Sequence, residues 1–470
     1  MADAWPPSLG ASGRPPPPLV FDVVPPCPAT GSGLAVHACP GSTLSSGNPT
    51  VALQTRLTLL AWLLCFVPPT ATLNAHDWPQ FRGPTGQGHA AGELPTQWSP
   101  TENIVWRHAI PGKGWSSPIV LGRRVVLTTA TPVTDDEKGA QSLSVLCLDR
   151  ESGEPLWTVP LFEQPAGVTI HGKNSHASAT PASDGERIYV HFGTHGTAAL
   201  DLEGNILWKT TDLHYSPVHG NGGSPVLVDD LVIVSCDGSD VQFVAALAKQ
   251  TGLLRWKTPR SVKADKGFSF GTPLVIEVDG ARQLVSQGSD AVMAYRIEDG
   301  SELWRVRYPG GFSVVPRPVF GGGLLFVCSG YNTPVLLAIR PAGAAGDVSQ
   351  THIAWQLKKG VPHNPSPLLV DQALYLVSDN GVVSCLEAET GQSHWQQRLG
   401  GNFSASPLLA NGKIYVQSEE GEGYVFAADP AGYQELGRNS IGERALASYA
   451  VSGRSVFIRS EGHLAHIAQH

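Results

Sequence analysis

Several things are scarce in this chain, and each scarcity excludes a class of function. It has no run of Lys and Arg, and its formal charge is −8. No basic field therefore exists to hold nucleic acid or anionic lipid. The apolar run at residues 57–67 is too short to span a bilayer. Cysteine is sparse as well: there are 7, with no two adjacent in sequence. That spacing leaves no haem-attachment motif and no zinc ribbon. Methionine occurs only twice.

Gly (52) and Pro (38) are abundant instead, as a turn-dense β architecture requires. Tryptophan recurs at Trp106, Trp157, Trp208, Trp256, Trp304, Trp355 and Trp395, with spacings of 51, 51, 48, 48, 51 and 40 residues. Most of these close a segment of the form apolar, acidic, turn, Gly, Trp, as in Leu148-Asp149-Arg150-Glu151-Ser152-Gly153 leading to Trp157. Periods of this length belong to propeller blades and other arrays, not to helical heptads. A second signal keeps phase with the first. Each unit opens on Ser117-Pro118, Thr180-Pro181, Ser224-Pro225, Thr272-Pro273, Arg317-Pro318, Ser366-Pro367, Ser406-Pro407 or, in the eighth copy, Ser448-Tyr449. Proline fixes φ and donates no hydrogen bond, so it is tolerated at a strand's first residue and marks each unit's entry.

Eight entries with four short strands each predict an all-β fold, an eight-bladed β-propeller of four-stranded antiparallel blades over residues 102–467, about 46 residues per blade. The eighth unit holds only three strands before the chain ends. The strand around Trp106 is expected to supply its fourth and close the ring.

Residues 1–50 are rich in Pro, Gly and Ser and are expected to be disordered, or to be a mis-assigned extension upstream of a start near Val51 or Leu53. Arg56, the apolar run and the small and polar residues up to Ala75 have the order of a signal peptide, giving 51–75 as signal and 76–101 as an N-terminal segment. Cys65 is flanked by Leu64 and Phe66, which does not suit a lipidation signal, so the expectation is a plain cleaved signal and a periplasmic or secreted protein without a lipid anchor. Four cysteines would remain, in different blades, each expected to be a buried free thiol.

The repeat and its acidic-turn-Gly-Trp closures resemble the pyrroloquinoline-quinone (PQQ) repeat propellers. That family includes quinoprotein alcohol dehydrogenases and the periplasmic outer-membrane assembly lipoprotein BamB. The segment Asp77-Trp78-Pro79-Gln80-Phe81-Arg82-Gly83-Pro84 resembles the start of many exported members. For the dehydrogenases the resemblance implies adjacent cysteines stacked on PQQ, a metal held by carboxylate and amide side chains, and an Asp base. No residue here carries over to those roles, so no catalytic or metal-binding residue is assigned and PQQ is left without a site.

In a propeller, the loops before each entry and those between second and third strands share one face. Here that face is expected to form a polar and aromatic funnel, with Lys173, Asn174, His176, His219, Asn221, Arg317, His363 and Asn364 as candidate ligand-binding residues. Asp-Gly and Asn-Gly tips are turn chemistry first. The reading that follows is a non-catalytic, monomeric scaffold in the cell envelope, binding a protein partner or a polysaccharide. The alternatives are a PQQ-dependent oxidoreductase with an atypical site and a BamB-like assembly factor.

Overall fold

A computed structural model describes residues 73, 74, 76–136, 138–332 and 334–469. The expected N-terminal extension, and all of the signal segment except its last few residues, lie outside the described residues.

The chain forms eight antiparallel sheets arranged as an eight-bladed β-propeller. Numbered from the sheet that begins at Ile119, blade 1 runs Ile119–Leu121, Arg124–Pro132, Gln141–Asp149 and Pro155–Gln164 from the axis outward. Blade 8 consists of Ala450–Ser452, Ser455–Arg459, His463–Ala468 and, outermost, Ile104–Ala109, which pairs antiparallel to His463–Ala468 with Trp106 opposite His466. Burial follows position in the blade. Second and third strands are buried on both faces because a neighbouring blade covers each, and they read as near-continuous apolar runs such as Leu231–Asp237. Outer strands alternate, as Ile104–Ala109 does, because one face meets solvent.

The core lies between the blades. One apolar cluster joins blades 1 and 2 through Val126, Val145 and Ile188. Another joins blades 7, 8 and 1 through Tyr415, Phe457 and Val120. The tryptophans bridge the same gaps at the periphery. Trp106 Nε1 donates to Arg150 O of blade 1 at 2.8 Å, Trp157 to Leu202 O of blade 2 at 3.1 Å, Trp208 to Lys249 O of blade 3 at 2.8 Å and Trp256 to Ile297 O of blade 4 at 2.9 Å. Trp355 and Trp395 reach Ala388 O and Asp429 O of their next blades in the same way. Gly252 shows why glycine ends the acidic turn: its φ is +72°, and a Cβ there would stand 2.4 Å from the Trp208 ring.

Trp304 departs from this pattern and donates to Gln283 Oε1 within its own blade, at 2.8 Å. Blade 5 has a longer connection before its outer strand, and Gly346–Asp347 from that connection pairs in parallel with Trp304 and Arg305. The Trp304 ring is completely buried as a result.

Near the axis, the entry residues are linked by hydrogen bonds of 2.9–3.0 Å. The Ser117 N–H donates to Thr180 Oγ1, Thr180 to Ser224, Ser224 to Thr272, Arg317 to Ser366, Ser366 to Ser406 and Ser406 to Ser448. In these six links the Ser/Thr hydroxyl of one entry satisfies the backbone of the preceding one, and Arg317, having no hydroxyl, offers none to Thr272.

The N-terminal segment crosses this inner ring. Trp78 bridges Val120 of blade 1, and the Pro79 carbonyl accepts from Ser183 N of blade 2. Phe81 O and Gln87 Oε1 accept from Arg317 Nη1 and Phe320 N of blade 5. His89–Ala90 then adds a short parallel strand to the inner strand of blade 7. A segment that touches the inner strands of blades 1, 2, 5 and 7 passes across the axis at that end.

Candidate functional site

The opposite end carries a continuous arc of rings. His171 meets His219 at a centroid separation of 5.5 Å, His219 meets Phe268 at 5.4 Å, Phe268 meets Phe312 at 5.6 Å, Phe312 meets Tyr331 at 5.7 Å and Tyr331 meets His363 at 5.6 Å. All are edge-to-face, the geometry that the aromatic quadrupole favours. The arc draws on the loops between blades 1 and 2, 2 and 3, 3 and 4, 4 and 5, and 5 and 6, together with one loop inside blade 5. Tyr331 is 56% exposed and His219 is exposed, so the arc presents ring surface to solvent while Phe268 and Phe312 are half-buried. Lys266 Nζ lies 4.3 Å from the Phe312 centroid, a cation–π contact at the rim.

Hydrogen bonds near each end hold the arc in place. His219 adopts φ +67°, a left-handed conformation uncommon for a residue with a side chain. Asn174 Nδ2 holds it there by donating to His219 O at 2.8 Å. Partial burial, and secondarily the adjacent His171, keep the His219 imidazole below its ordinary pKa, so it is neutral at pH 7. At the other end, Asp379 accepts from the His363 backbone N–H at 2.6 Å and from Asn364 Nδ2.

The remaining sequence candidates fall into two groups. Lys173 reaches from the loop between blades 1 and 2 to blade 7, where its Nζ lies 2.8 Å from Glu419 Oε1. Asn221 Oδ1 accepts from Tyr215 Oη at 3.1 Å. These two, with Asn174 and Asn364, brace the loops that carry the arc. His176 stands apart against Gln164, 2.8 Å from its Nε2, with its pKa lowered by burial. Arg317 is not at this face: it is fully buried near the axis and bound to Phe81 of the crossing segment. The structure therefore brings His219 and His363 into one arc and separates His176 and Arg317 from it.

Sequence reasoning did not pick out His171 or Phe312 as site residues. A positional signal for Phe312 exists, since it lies five residues before its entry residue Arg317, as His219 lies five before Ser224. Nothing comparable marks His171, whose place depends on the fold of its loop.

A quinone does not fit these residues. The described cysteines, Cys147, Cys236, Cys328 and Cys385, are all free and buried, in four different blades. Three acids near this face already have partners. Asp237 is locked with Arg260 in a fully buried pair at 2.6 Å, which holds the guanidinium charged; Glu419 accepts from Lys173 and from Ser404 Oγ; and Glu420 accepts from Asn402. Among the described residues no group of three or more His, Cys, Asp or Glu side chains converges as metal ligands would, and no chemical step is assigned to these acids.

Comparison with known proteins gives the relationship. The chain matches the family model described as "Outer membrane protein assembly factor BamB" over residues 99–267, 242–343 and 343–434. A BamB from Burkholderia pseudomallei (strain K96243) is 26% identical over 236 residues, 47% of this chain and 51% of that protein. The match thus spans about half the length of that curated relative. Among solved structures, BamB from Moraxella catarrhalis superposes with a TM-score of 0.54 at 15% identity, covering 78% of this chain and 97% of that one. The quinohemoprotein alcohol dehydrogenase ADHIIG from Pseudomonas putida HK5 gives 0.57 at 10% identity, covering 84% and 80%. At such identities these structures establish the fold alone. The family match covers most of the propeller, and the chain belongs to the BamB-like family of PQQ-repeat β-propellers.

Proposed function

We propose that the protein is an exported, non-catalytic binding scaffold of the cell envelope that holds a protein partner on the aromatic arc. The observation that carries this reading is the unbroken series of rings from His171 to His363, presented by loops of five successive blade junctions. Aromatic side chains are enriched where partners bind, because they bury large areas at low entropic cost. The committed acids nearby support a binding role over a catalytic one. Export is supported by the signal-like order of residues 51–75, and among the described residues no helix is long and apolar enough to cross a membrane.

Affinity capture from envelope extracts tests the proposal. The triple variant Phe268→Ser, Phe312→Ser, Tyr331→Ser is expected to lose the partner retained by the parent protein while unfolding at a similar temperature. Unchanged capture would refute the arc as the binding surface, and capture of glycan alone would favour a polysaccharide ligand. Family membership favours a narrower second reading, a BamB-like role in outer-membrane protein assembly. On that reading the captured protein belongs to the assembly machinery.

A further inference from the structure

Arg82, Arg317 and Arg459 are fully buried, and their hydrogen bonds go to neutral oxygens. Arg459 stands alone between blades 8 and 1, with Nη1 bonded to Ser116 O, Ser116 Oγ and Thr128 O. Arg82 and Arg317 are different because one turn of the crossing segment holds both. Arg317 Nη1 donates to Phe81 O at 2.7 Å, and Arg82 Nη2 donates to Gln87 O at 2.9 Å and to Pro407 O of blade 7 at 3.5 Å. Glycines let the turn lie against both groups: a Cβ on Gly86 would stand 2.3 Å from Arg317 Nη1, and one on Gly88 would stand 2.7 Å from Arg82 Nη2.

Two like charges are thus buried close enough to repel. Burial holds each guanidinium down to about 9, with Arg317 adding its own repulsion at Arg82, and among the described residues no carboxylate pairs with either. Both remain protonated at neutral pH. Arg82 also has two buried nitrogens, Nε and Nη1, with no acceptor. An uncompensated buried charge is costly, and an unmade hydrogen bond on a charged donor adds to that cost.

We propose that a single small inorganic anion, a halide or an oxyanion, binds the unpartnered N–H groups of Arg82 and neutralises the Arg82–Arg317 pair where the crossing segment meets blades 5 and 7. The ion fastens the segment to the ring. Its class is limited by burial, since both arginines are at most 2% exposed.

The test follows the unfolding midpoint of the purified protein as chloride, sulfate or phosphate replaces gluconate, a large anion, at constant ionic strength. The expected result is a saturable rise of several °C, lost in Arg82→Met and retained in Arg459→Met at a lower midpoint. The anion that saturates at the lowest concentration identifies the class. A flat response in the parent protein, or a rise that persists in Arg82→Met, overturns the proposal. Should Arg82→Met fail to fold, crystals of the parent protein soaked separately in bromide and in selenate decide it: an anomalous peak from either at hydrogen-bond distance from Arg82 Nη1 supports the site, and its absence from both refutes it.

Discussion

At the scale of single residues, Gly252 and Gly280 separate two costs that usually come together. Both have φ near +72°, at +72° and +73°, but a Cβ on Gly252 would strike the Trp208 ring, whereas Gly280 has nothing within 4 Å. Gly280→Ala is expected to cost only the left-handed backbone term, about 1–2 kcal/mol. Gly252→Ala adds displacement of a ring locked to the next blade and is expected to exceed that by a further ~1–3 kcal/mol. Equal losses in denaturant titrations would mean that the ring contact has no energetic role. Trp304→Ala removes a completely buried indole and is expected to cost about 3–5 kcal/mol.

His191 provides a pH test at the same scale. It is buried, its Nδ1 lies 2.8 Å from Thr197 Oγ1, its Nε2 has no partner, and burial lowers its pKa to about 4. The unfolded chain takes up this proton near the ordinary histidine value of 6.5, while the folded protein resists until about 4. Its contribution is therefore complete above pH 6.5 and declines as pH falls from 6.5 to 4. Over that window the loss reaches about 3 kcal/mol. His191→Gln is expected to flatten the decline by about 2 kcal/mol between pH 7 and pH 5. An unchanged slope would assign the acid sensitivity to other groups.

At the scale of strands and loops, the sequence was most informative where a residue type has a single structural use. Proline at seven of the eight entries and glycine before most of the tryptophans marked the blades, because few other residues accept those conformations. The two-residue strands His89–Ala90 and Gly346–Asp347 were invisible, since such short parallel pairings carry no periodic pattern. The arc was only partly legible. Phe268, Tyr331 and the histidines at 219 and 363 stood out as loop aromatics, yet their stacking depends on loops some fifty residues apart converging. Arg317 was read as a residue of the mouth because its position in the repeat was clear and its rotamer was not; its side chain instead runs to a segment 236 residues earlier. Pairing of Ile104–Ala109 with His463–Ala468 carries a prediction of its own. Deleting residues 102–112 would expose the edge of blade 8, and aggregation or loss of cooperative unfolding is expected. A truncated chain that melts like its parent would show that the ring does not depend on that strand.

At the scale of the whole molecule, the ring puts its two ends to different uses. One is crossed by the N-terminal segment with its buried arginines, and the other bears the arc and its bracing pairs, among them Lys173 with Glu419 and Asn364 with Asp379. Such a division suits the proposed scaffold, which would engage a partner from one side. Site-specific photo-crosslinking in envelope extracts tests this most directly, with the photoreactive side chain placed at Tyr331 on the arc or at Leu253, 68% exposed, on the outer edge of blade 3. A discrete adduct is expected from position 331 and none from position 253. Adducts from 253 alone, or equally from both, would contradict the proposal.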